Sequence, residues 1–465
     1  MSALSERKIE IVRTLVEAAP DKIVGGLRQA LAQSANDSVL STVRLLVEAE
    51  AGDRALRNIV LQSVAPLCVG DGSDPRSLVF PARVLACVWR GLKELAPQEM
   101  AAAAKIASII EATPAEHRPP DPSAAFDPVT RLAANGLRTS QLRDFRQAAE
   151  LCDRAHPGGA EMFASCLELA PVLRKATARI PEWLAHPGDE TTAAVRLAYK
   201  DAVTIAEDAG PRFFEMLAGQ LTPSWMVLRI ISAVMDKPTE RYLRDSELGG
   251  FPERVMNDID ASLQAISKLD VNRGAEAGRA AGKLVELITE QATELELCIE
   301  LTRESGWGQR IFNQKKSLAN VVERHLRDTE KLAMAALPSN PGKGRSRKAE
   351  PKLDGPPDPA AVTRAMTLLT FCDEVRSCAN YAGFSAAHAK MIEKLGPAID
   401  HYVEEVLDFV RTGDVECVPS AHAYLRVAAD FCQLVRDAKA ADLIRRRAAS
   451  ACHDSPAAAR PKGAG

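Results

Sequence analysis

Two copies of one helical phrase lie 31 residues apart near the start of this chain, Val12-Arg13-Thr14-Leu15-Val16-Glu17-Ala18 and Val43-Arg44-Leu45-Leu46-Val47-Glu48-Ala49. A stacked helix-turn-helix unit has a period of that size. Each copy sets apolar residues on one face and offers its Arg and Glu to solvent. The spacing therefore predicts paired helices that present a surface rather than a deep cleft. No third copy follows, so a HEAT-like array and a plain bundle both fit.

The rest of the chain keeps the helical period and breaks it with proline. Long stretches are built from Ala, Leu, Arg, Glu and Val, and aromatic residues make up only 5%, a mixture that favours closely packed helices over sheets. With 465 residues, 46% of them hydrophobic, the chain can bury a large interior, and about 100–200 residues per domain suggests roughly three domains. The fold expected is all-α and multi-domain. Residues 1–112 read as a paired-helix array, 113–127 as a proline-rich linker, and 128–337 as a middle helical bundle whose long helices fill the segment from residue 275 onward. Residues 338–359 read as a flexible linker of proline, glycine and basic residues, 360–453 as a small C-terminal helical bundle, and 454–465 as a frayed tail. The linkers follow from proline itself, which lacks the amide donor and restricts the residue before it.

A net charge of −3 and a pI near 6.3 give no broad attraction to nucleic acid or anionic lipid. The basic residues Lys343, Arg345, Arg347, Lys348 and Lys352, and the run Arg445-Arg446-Arg447, have no interleaved aromatics on which bases could stack. Sequence-specific nucleic-acid binding is not expected. No window approaches the roughly 20 apolar residues of a membrane span, and residues 1–8 mix charges where a signal peptide carries an apolar core. A cytoplasmic protein is expected, and the abundance of Ala and Arg fits a bacterial origin. The ten cysteines contain no CxxC pair and sit in apolar phrases, so they read as reduced core residues.

Motifs that would name a reaction are missing. GxSxG, Walker A and a Rossmann fingerprint do not occur, so no catalytic residue can be assigned and no cofactor is expected. Residues 360–453 gather Cys372, Cys378, Cys417, Cys432, Cys452, His388, His401, His422 and His453, but their spacings fit no closed ligand set, and no metal is expected. The closest geometry is His401 with Glu404 and Glu405, one helical turn apart. Asp400, Glu404 and Asp408 stack every four residues, a stripe read as a solvated face.

The most individual stretch is 236–254, which joins two helices with more residue variety than a turn needs. Its Lys237, Arg241, Tyr242, Arg244 and Phe251 combine the residue types that anchor interfaces. They are the expected partner-binding residues, the competing reading being that Tyr242 and Phe251 dock the loop on its own core. The function expected is a noncatalytic scaffold, adaptor or regulatory module that binds another protein. The alternative is an all-α enzyme whose site is assembled between helices of the middle or C-terminal unit. A closed cavity with convergent polar groups would favour the enzyme, and an exposed apolar groove the binder.

Overall fold

A computed structural model describes residues 5–33, 38–69, 78–114, 122–185, 188–206, 208–235, 238–303, 306–340, 350–412 and 418–453. Among them are twenty α-helices and only two-residue strands, so the chain is all-α. It divides into two compact units, Met1–Phe251 and Pro252–Gly465.

The first unit opens with α1 (Glu6–Ala18), α2 (Asp21–Ala32) and α3 (Ser38–Val60). The two copies of the repeated phrase fall on α1 and α3 in equivalent settings. Val16 and Val47 are buried together with Val24 from α2, and Val12 and Val43 pack against them half-buried. The alternation stops there, because α3 runs for 23 residues and ends in a 3-10 turn at Ala65–Leu67. Two short strands, β1 (Cys68–Val69) and β2 (Phe80–Pro81), pair in parallel. They precede α4 (Arg83–Leu95) and α5 (Pro97–Ala112), followed by α6 (Asp127–Thr139), α7 (Arg143–Ala155) and α8 (Gly159–Thr177). The Phe145 ring on α7 is 1% exposed and packs between α4 and α6. A Cβ on Gly91 of α4 would stand 2.8 Å from that ring, and one on Gly136 of α6 2.4 Å, so both glycines are small because the ring fills the space between their helices. The unit continues through α9 (Ile180–Ala185), α10 (Asp189–Val203), α11 (Ala209–Gln220), α12 (Val227–Val234) and the short α13 (Glu240–Arg244).

The second unit contains all but the first two residues of α14 (Gly250–Ser267), then α15 (Ala275–Cys298), α16 (Gly306–Ala336), α17 (Pro359–Glu374), α18 (Ser385–Thr412), α19 (Val418–Val435) and α20 (Ala438–His453). Helix α17 lies along both α15 and α16. The approach to α15 is close because Gly278 and Gly282 stand one turn apart: a Cβ on Gly278 would meet the Thr367 carbonyl oxygen at 2.0 Å, and one on Gly282 the Glu374 side chain at 2.5 Å. Two buried polar side chains of α16 bond to the backbone of α14. The His325 imidazole of α16 donates to the Ile266 carbonyl at 3.0 Å, and the Gln314 amide donates to the Met256 carbonyl at 2.8 Å.

The unit boundary differs from the expected domain limits. Pro122–Phe126 form a 3-10 turn leading into α6 within the first unit, and α17 packs along α15 and α16 as well as α19 within the second unit. Proline ends helices at these places without separating cores. Residues 115–121, 341–349 and 454–465, on which the linkers and tail were placed in part, lie outside the described residues.

Candidate interaction surfaces

The stretch singled out in the sequence splits into outward and inward residues. Thr239 caps α13, its hydroxyl accepting from the Tyr242 amide at 3.3 Å, and Leu243 and Glu240 point inward, 1% and 5% exposed. The period of this one-turn helix leaves Arg241, Tyr242 and Arg244 outside, with Tyr242 71% exposed. The Arg244 guanidinium stays near Glu240 and Asp245, at 3.9 and 3.8 Å. Phe251 does not belong to this surface. It is 5% exposed and meets Phe214 edge-on, ring centres 6.3 Å apart. Leu248, Phe251 and Val255 recur at a 3-4 spacing and are all buried, a core signal that the variety of the loop obscured. Lys237 lies outside the described residues.

A second surface was not anticipated. The helical phrase of α1 holds two apolar pairs, Val12 with Val16 and Ile11 with Leu15, about 100° apart around the helix. Only the valines face α3. Ile11 is 52% and Leu15 66% exposed, and on α2 Ile23 and Leu27 are 53% and 40% exposed while Val24 is buried. Leu45 of α3, 71% exposed, also points outward. Large exposed apolar side chains are ordinary singly; grouped, they mark binding surfaces.

Charge takes the place that these residues leave inside. Contrary to the expectation that both Glu residues of the repeat face solvent, Glu17 is 4% exposed. It accepts from Arg90 and from Arg83 Nε at 3.2 Å, and Arg90 also reaches Asp144 at 2.8 Å. Burial holds the Glu17 carboxyl above its ordinary range, and Arg90 and Arg83 partly offset that rise. Its counterpart Glu48 stays half-exposed, 3.6 Å from Arg28.

The chemistry-bearing groups of the second unit are engaged in structure. Cys372 is buried, its thiol pushed up to about 12 by burial, and its sulfur lies 3.2 Å from the Thr329 hydroxyl. His388 donates to the Cys372 carbonyl at 3.0 Å. The eight cysteines whose side chains are described are all buried. Cys417 lies outside the described residues, as do the side chains of Cys452 and His453. His401 pairs with Glu405 at 3.1 Å, whereas Glu404 turns to Arg447 at 2.5 Å, so the closest ligand geometry is split. The carboxylate stripe is met by arginines of the same chain: Asp400 by Arg436 at 2.5 Å and Asp408 by Arg411 at 3.1 Å, beside the Glu404 pair. Arg445 likewise pairs with Asp430 and Asp442, at 2.9 Å each. Among the described residues no group of three or more His, Cys, Asp or Glu is placed to hold a metal ion, and no helix is long and apolar enough to cross a membrane.

One open groove of about 310 Å³ runs between α16 and α18. Its floor is Leu326 and Met391, and its rim carries Arg327, Lys390 and a Lys394–Glu330 pair at 3.2 Å. An apolar floor with both charge signs on the rim can seat a side chain of a bound segment. Compared with known proteins, the chain matches no family model, no curated protein and no solved structure.

Proposed function

We propose that this chain is a noncatalytic scaffold or adaptor that binds another protein, working in a bacterial cytoplasm. The observation that carries this reading is the group of aliphatic side chains left outside on α1 and α2, where Ile11, Leu15, Ile23 and Leu27 are each 40–66% exposed. Fully desolvating such side chains on a partner is favourable by roughly 25 cal/mol per Å² of apolar area. The charge cluster beneath them supports the same reading, because it fixes the helices without drawing these residues inward. Arg241, Tyr242 and Arg244 on α13 form a second contact surface in this proposal, an aromatic anchor between two guanidinium groups.

The test compares capture from native lysate by the full chain, by a Leu15→Glu, Ile23→Glu variant and by an Arg241→Ala, Tyr242→Ala variant, each with its thermal unfolding measured. A scaffold retains a protein in near-stoichiometric amount and loses it in at least one variant whose melting is unchanged. Retention indifferent to both surfaces, or no retained protein, would contradict the proposal.

A further inference from the structure

We draw no further inference here: the strongest candidate, the open groove between α16 and α18 with Leu326 and Met391 at its floor, carries both charge signs on its rim, and nothing in the structure shows what covers it.

Discussion

Arg54 does for α1 what a capping residue does for a free helix end. It is 9% exposed, donates to three carbonyls around the end of α1, and reaches Asp21 at 2.7 Å and Glu50 at 3.1 Å, so the orphan acceptors of α1 and the start of α2 share one cation. Arg54→Ala leaves the Val16, Glu17 and Ala19 carbonyls without their shared donor and removes one of the two arginine partners of Glu50, which keeps Arg57 at 2.8 Å, while the exposed Asp21 carboxylate turns to water. A loss of about 1–3 kcal/mol is expected, seen as faster amide exchange throughout α1 and α2. Arg54→Lys should rescue little, because a single ammonium cannot reproduce the planar fork. His325 and His388 set a pH dependence in the second unit. Burial lowers the pKa of each from its ordinary 6.5, outweighing the hydrogen bond to a backbone carbonyl. The unfolded chain then binds more protons than the folded one over the interval between the two values. The stability these groups contribute is complete above pH 6.5 and is lost as pH falls through their lowered folded values. Chemical denaturation across that interval should show the decline, and His325→Gln with His388→Gln should flatten it. An undiminished slope in the double variant would exclude these two groups as its cause.

At the scale of elements, glycine separates packed helices from open ones. Gly278→Ala would force α15 away from the Thr367 carbonyl, and Gly136→Ala would collide with the Phe145 ring; each is expected to cost about 1–3 kcal/mol, as overpacking does. Gly25 and Gly26 lie inside α2 with nothing within 4 Å of an added Cβ. Alanine at either should stabilise by about 0.5–1 kcal/mol, and equal effects at Gly278 and Gly25 in thermal unfolding would refute the packing described. Helix type was legible from the sequence because Ala, Leu and Glu at a 3.6 period leave little alternative. Facing was less so. Val12/Val16 and Ile11/Leu15 satisfy the same period equally well, and what decides between them is α3, through Val47, together with buried Glu17, whose partners Arg83 and Arg90 lie more than sixty residues onward. Phe251 follows the competing reading, docking on its own core: residue variety marks a loop, while the spacing to Leu248 and Val255 marks a core face. Arg241 and Tyr242 lie outward because a one-turn helix has few inward positions and Leu243 takes one of them.

At the scale of the molecule, proline-rich stretches mark where helices end but not where cores divide. Because α17 packs on α15 and α16 across the stretch 341–349, a chain cut there should stay together: limited proteolysis is expected to give two fragments that co-elute under native conditions and separate only in denaturant. Separation without denaturant would restore the three-domain reading. Residues 252–465 produced alone should fold, and residues 360–453 alone should not, as circular dichroism and thermal unfolding would show. The exposed aliphatic side chains of α1 and α2 are proposed as the docking face, and that claim is read most directly by hydrogen exchange of the full chain with and without the protein it retains from lysate. Amides of α1 and α2 are predicted to become more protected when that protein is bound, while those of α15 and α17 do not change. Protection of α1 and α2 that is the same in both states would contradict it.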